Sequence, residues 1–415
     1  MAETRWWRRM PAPGWLLLAL AAGLAVGLAL GPGAASAVDG ARLVGGLWLD
    51  ALRMTIVPLV FSLVATGVAA LSETMEAGGK VGRRLPVVML GFLLLSAALT
   101  ALVAPAMLRL VPLSPEGVAA LRAGLAAAPP PPAPGLVEAI RALVPVNPVA
   151  SAAEGAMVPL VVFALVLGLA LGRVEPARAE AVLQPLRGLA DAMIVVVGWV
   201  LRAAPVGVFA LALVIGATAG LEALGALGGY VAIQAAVSLL LALAATLLAR
   251  WPGGAALLRF ARAAAPAQAV AASTQSSIAT LPAMLAAAAR IGVAEQEAAV
   301  ALPLSVAVFK VTAPSSALIA GLTLAWVAGA PVGAGQLVVA AALSVVATLA
   351  VLGMPGAVSF FTATTPTVAA LGGPVALIPV LLAVDTIPDM FRTVANVTAD
   401  LAVTVIATRR ADTGP

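Results

Sequence analysis

Cysteine and histidine are both absent from this chain. Disulfides, thiolate nucleophiles, imidazole metal ligands and serine–histidine triads are therefore excluded together. Charge is scarce as well: Asp, Glu, Lys and Arg make up 10% of the 415 residues, while 62% are hydrophobic and the mean hydropathy is +1.11. Soluble domains of this length do not carry so little charge, so the chain reads as a polytopic membrane protein. The 23 basic side chains outnumber the 18 acidic ones. They are scattered between apolar runs and form no stripe, which argues for membrane topology and against a nucleic-acid partner.

Apolar runs follow one another at about 15–30, 43–71, 85–108, 157–171, 189–216 and 228–248. The basic start (Arg5, Arg8, Arg9) and the Ala35-Ser36-Ala37 segment resemble a signal peptide, but the many later spans favour a retained first helix. Residues 110–149 form the one long polar-tolerant connection, and the tract AAAPPPPAPG at 126–135 is too proline-rich for a helix interior. Fifteen basic residues fall on the side that holds the N-terminus, against Arg42, Arg109, Arg122 and Arg141 on the other. Positive charge marks the cytoplasmic side, so both termini are expected in the cytoplasm, with an even number of crossings. Eight fit.

Two later segments are unlike ordinary spans. Residues 263–290 carry STQSSIATLP at 273–282, a small hydroxyl and amide run with apolar flanks too short to cross twice. Residues 336–370 carry GMPGAVS at 353–359, where glycine and proline open the backbone. Each reads as a re-entrant hairpin or as a kinked helix. Two interrupted segments, each followed by a long span (297–328 and 373–408), match the paired halves of an inverted repeat.

The last span carries the chemistry. Asp385, Asp389, Arg392, Asn396 and Asp400 are spaced four, three, four and four residues apart. At 100° per residue they fall within about 80° on one helix face. Each charge at mid-bilayer costs roughly 2.5–3.5 kcal/mol, so this face must meet protein, water or ligand. It is either a self-neutralising packing network or a transport site.

The string DTIPDMFRTVANVTADL at 385–401 has the order D-x-x-x-D-x-x-R-T-x-x-N-V-x-x-D, and MTIVPLVFSLV at 54–64, VPVNPVA at 144–150 and APVGVFAL at 204–211 accompany it. In these motifs, and over nearly its whole length, the chain resembles the dicarboxylate/amino acid:cation symporter family, which contains the glutamate and aspartate transporters. The resemblance implies an all-α membrane protein of the inner (cytoplasmic) membrane. It implies eight transmembrane helices plus two re-entrant helical hairpins, an elevator-type movement and a homotrimer. Residues 1–72 and 150–250 would be mainly scaffold, 85–108 a transport-domain helix and 263–408 the transport core.

For the site, the resemblance implies that Arg392 pairs with a substrate side-chain carboxylate, Asp389 with its ammonium, and Asn396 with the α-carboxylate region, beside Thr393. Ser276 and Ser277 at the first tip, with backbone N–H groups around Val358 and Ser359 at the second, would close over the substrate. Asp400, with Asn396, would hold sodium, and Asp385 would serve the same cluster. Keeping both Asp389 and Arg392 favours a small acidic amino acid: a C4-dicarboxylate would meet Asp389 without an ammonium, and a neutral amino acid would leave Arg392 unpaired. No feature supports a cofactor beyond a coupling ion, Na+ or H+.

One stretch departs from the family. Where the family has Asn-Met-Asp-Gly-Thr in an unwound helix, this chain has Phe309, Lys310, Val311, Thr312 and Ala313, and Gln275 and Ile278 alter the serine-rich hairpin. The cation site built on the missing aspartate is expected to be absent. A buried lysine needs a partner, and Asp400 or Asp385 would supply it. Lys310 is then either a fixed substitute for the cation, with uptake proton-coupled or less dependent on sodium, or a structural charge. Two readings from other classes stay open. One is an anion channel of the same fold, and the other is a membrane hydrolase using Ser276 or Ser277 with Lys310, which lacks a recognisable oxyanion-hole motif.

Overall fold

Backbone amides in an apolar run find no partners in lipid, so such runs must bond internally, and the helix is the local solution. The computed structural model describes residues 12–31, 33–77, 79–110, 141, 144–154, 156–250, 255–349, 356–374 and 377–409, and the regular structure among them is helical. The first helices are α1 (Ala12–Leu30), α2 (Ala35–Ala77), α3 (Gly79–Leu110), α4 (Pro148–Ala153), α5 (Met157–Leu171), α6 (Pro176–Arg202) and α7 (Ala204–Arg250). Then come α8 (Leu257–Thr274), α9 (Ser277–Ile291), α10 (Glu295–Val308), α11 (Thr312–Ala328), α12 (Ala334–Leu349), α13 (Gly356–Ala370), α14 (Ile378–Val384) and α15 (Thr386–Thr408).

Among the described residues, five stretches are long and apolar enough to cross a membrane: Arg84–Leu110, Pro176–Val200, Leu227–Arg250, Glu295–Ala328 and Thr386–Thr408. Their burial sorts them. Of the Glu295–Ala328 window 89% is buried, and of Thr386–Thr408 78%, against 12% for Pro176–Val200. The polar spans are therefore central and α6 faces outward. The proline tract and the Gly353 and Pro355 positions of the second interrupted segment lie outside the described residues.

α15 is packed about by α7, α8, α9, α10 and α3, while α11 lies against α13, α12 and α3. On the other side, α2 packs with α5, α6 and α7. α7 joins the two groups. Its first half lies so close to α1 that a Cβ on Gly23 would come within 2.8 Å of the Ala212 Cβ. Its second half buries Tyr230, Ile233, Gln234, Val237 and Leu241, and Gln234 hydrogen-bonds to α11. The scaffold assigned to 150–250 thus includes a stretch packed on the polar core.

Each central span is interrupted beside a proline, the first where the resemblance implies an unwound stretch. Pro314 has no N–H to give the Lys310 carbonyl, and Ala313 N–H donates to it instead at 3.1 Å, so the helix interrupts at 309–311. Pro388 likewise cannot bond to Val384. The chain tightens there, with the Asp385 N–H donating to the Leu382 carbonyl at 3.2 Å, and α14 hands over to α15 at Asp385.

Candidate functional site

α8 and α9 form an antiparallel hairpin that turns at Gln275, the non-glycine described residue with a left-handed backbone (φ 53°, ψ 29°). Ser276 caps α9, its Oγ accepting from Ala279 N–H at 3.2 Å. The turn is tied to the broken span, since Gln275 Nε2 donates to the Thr386 carbonyl at 3.2 Å. Ser276, Ser277, Lys310, Asp389, Arg392, Thr393 and Asn396 all line one cavity of about 400 Å³. Val358 and Ser359 lie in the first turn of α13. Asp385 and Asp400 are not among the lining residues.

Arg392 is buried and held on three sides. Its Nη2 donates to Asp385 Oδ2 at 2.5 Å and to Asp389 Oδ1 at 3.1 Å, and its Nη1 donates to Ser316 Oγ at 2.8 Å. The Phe360 ring sits 5.5 Å from its guanidinium carbon. Asp389 is the more open of the two acids, with its side chain 29% exposed against 9% for Asp385. Asp385 is thus Arg392's inner counter-ion, and Asp389 borders the cavity.

The Asn396 Oδ1 accepts from both the N–H and the hydroxyl of Thr312, each at 3.0 Å. That leaves the Asn396 amide N–H groups to be directed elsewhere, and the residue lines the cavity. The break in the span is what makes this possible, because the N–H of Thr312 begins a helix and has no earlier carbonyl to bond. Thr393 turns its hydroxyl back to the Asp389 carbonyl at 2.8 Å.

Asp400 is wholly buried, and neither of its carboxylate oxygens has a hydrogen-bond partner. The charge acting on it is Lys310. Lys310 in turn feels Asp389, Arg392 and Asp400, whereas Asp385 is engaged by Arg392. Of the two acids open to Lys310 on sequence grounds, Asp400 is the one within its field. Val311, beside Lys310, is buried.

Four residues were missed on sequence grounds: Ser316, Thr312 as a partner of Asn396, Phe360, and Gln234 on α7. The only signal for Gln234 was an amide in an apolar run four residues after the chain's single tyrosine.

Comparison with known proteins bears on this arrangement. The proton/glutamate-aspartate symporter of Escherichia coli (strain K12) is 27% identical over 378 residues, covering 88% of this chain and 84% of that protein. The C4-dicarboxylate transport proteins of Anaeromyxobacter sp. (strain K) and Anaeromyxobacter dehalogenans (strain 2CP-1 / ATCC BAA-258) are each 29% identical over 250 residues. Those alignments cover 58% of this chain and 54% of either relative. The family described as the sodium:dicarboxylate symporter family matches residues 14–410. Its members are symporters and not enzymes, which removes the hydrolase reading. With apolar helices long enough to cross a membrane and a buried face of opposite charges on one cavity, this multi-pass chain belongs to the sodium:dicarboxylate symporter family.

Proposed function

We propose that this protein is a secondary active transporter of a small acidic amino acid, aspartate or glutamate, across the cytoplasmic membrane. The observation that carries the reading is the pair Arg392 and Asp389, opposite charges 3.1 Å apart on the wall of one cavity of about 400 Å³. An incoming ammonium competes for Asp389, and the guanidinium released from it offers donors to the distal carboxylate. A planar fork suits a carboxylate better than a point charge does. Asn396, its oxygen held by Thr312, presents N–H groups for the α-carboxylate. Ser276, Ser277 and the backbone about Val358 and Ser359 close over the substrate.

Coupling rests on Lys310 and Asp400. An isolated carboxylate in a buried site is costly, and Asp400 has a fixed ammonium in its field where relatives would recruit a cation. Uptake is therefore driven by protons or depends little on sodium. The working assembly in this reading is a homotrimer in the inner membrane with both termini cytoplasmic, and the polar core moves as an elevator against α1, α2, α5 and α6.

A second reading, a C4-dicarboxylate substrate, is favoured by one observation. Asp389 is already paired by Arg392 and lies in the field of Lys310, which offsets its repulsion of a second carboxylate. Uptake into proteoliposomes, with sodium and proton gradients imposed separately and with aspartate, glutamate, succinate and serine as competitors, tests both. Aspartate or glutamate competing best supports the first reading. Succinate competing best replaces it with the second, and serine competing best would sink both.

A further inference from the structure

We infer that Tyr230 and Gln234 on α7, acting through Ser316, position the Arg392 guanidinium and so set how strongly the cavity prefers a carboxylate-bearing side chain. The inference rests on Arg392 being the receiver of that carboxylate. Both acids bonded to Arg392 engage one nitrogen, Nη2. A single anchored nitrogen leaves the planar group free to swing about that point. The bond from Nη1 to Ser316 Oγ is the second anchor, and with it the direction of the remaining N–H donors is fixed.

Ser316 is itself held. A hydroxyl rotates to suit its surroundings and makes a poor anchor alone. Here the Oγ also accepts from Gln234 Nε2 at 3.2 Å, and the same amide lies 3.3 Å from the Ser316 carbonyl. Its rotor therefore turns both acceptor positions away from solvent, one toward Arg392 and one toward Gln234. Gln234 in turn bonds to the Tyr230 hydroxyl at 2.9 Å, one helical turn earlier on α7. Tyr230 and Gln234 are fully buried, and neither lines the cavity. Whatever they do to substrate is done through Ser316, which itself lines the cavity, and Arg392.

Packing alone does not account for them. The Gln234 Oε1 is buried without a partner, a cost that a leucine of similar size would remove. The polar chain spans from α7 to α15 through α11 and ends on a cavity-lining arginine. That placement fits a positioning role better than an interhelical clasp.

The test compares the binding preference of purified protein for the better-bound of L-aspartate and succinate over L-serine. Gln234→Leu and Ser316→Ala are expected to lower that preference about tenfold while serine binding stays within about twofold, since a hydrogen bond to a charged group is lost. Ser316→Thr restores it. Tyr230→Phe produces a smaller loss, because Gln234 keeps Ser316. A preference unchanged in Gln234→Leu at wild-type melting temperature would overturn the inference, and so would equal weakening of both ligand types, the mark of a structural role. If Ser316→Ala fails to fold, the two α7 variants decide. Wild-type protein without any preference for the acidic ligand would overturn the substrate reading itself and the inference with it.

Discussion

Asp400 lies wholly buried with neither carboxylate oxygen hydrogen-bonded, and the basic side chain whose field reaches it is Lys310, at the break between α10 and α11. Asp400 lies on α15, which packs against α10, the helix that ends at that break.

Removing that charge should recruit another. Lys310→Met is expected to make uptake rise at least about fivefold with external sodium, as the stranded carboxylate takes a cation in place of the ammonium. Radiolabelled uptake in proteoliposomes across a sodium series measures it. Unchanged dependence on sodium and pH would reduce Lys310 to a structural charge.

Arg392 holds two acids, so its removal costs stability as well as binding. Arg392→Met leaves Asp385 buried without its counter-ion and should destabilise the protein by about 3 kcal/mol, the range for breaking a buried pair. Thermal unfolding in detergent reads this, and adding Asp385→Asn is expected to recover most of the loss. Arg392→Lys keeps the charge without the fork. Binding of acidic ligands should fall by at least about thirtyfold while the fold survives.

Thr312 acts on Asn396 through two bonds, one of which a side-chain change removes. Thr312→Val preserves the shape and the backbone N–H but deletes the hydroxyl donor. Substrate affinity should drop about fivefold, the worth of one hydrogen bond, with little change in maximal uptake. A change in maximal rate with unaltered affinity would be the contrary result.

Gln275 sits in the left-handed region, which excludes β-branched side chains. Gln275→Val should lower stability by about 2 kcal/mol through backbone strain and the lost bond to the Thr386 carbonyl. Gln275→Gly loses the bond but relieves the strain of a side chain in that region, and is expected to melt above Val and close to wild type. If Val and Gly melt together, strain at this turn is not significant.

The polar face of the last span was legible in the sequence because four charges and an amide at helical spacing have no place in lipid. Asp389, Arg392 and Asn396 stand out on that ground and line the cavity, whereas Thr393 and the altered stretch at 309–313 stand out only through the resemblance to the family. Their partners do not stand out. Ser316 and Thr312 are small polar residues in an apolar helix, where hydroxyls usually bond to their own backbone and signal nothing. Whether Gln234 faces Ser316 or lipid depends on the register of α7 against α11, a tertiary fact with no local trace. Pro314 and Pro388 were visible, yet a proline in a membrane span is compatible with a simple kink, and the surrounding hydrogen bonds separate the break at 309–311 from the one-residue interruption at Asp385.

α7 is one continuous helix of 47 residues whose early part lies on α1 and whose later part bonds to α11. A rod anchored in two bodies acts as a crank between them. In the elevator reading, any stroke of the polar core must be taken up along its length, and Gly220, Gly225, Gly228 and Gly229, clustered midway, are where it can yield. Stiffening those positions with alanine would then tax the travel of the carrier and spare its grip on cargo.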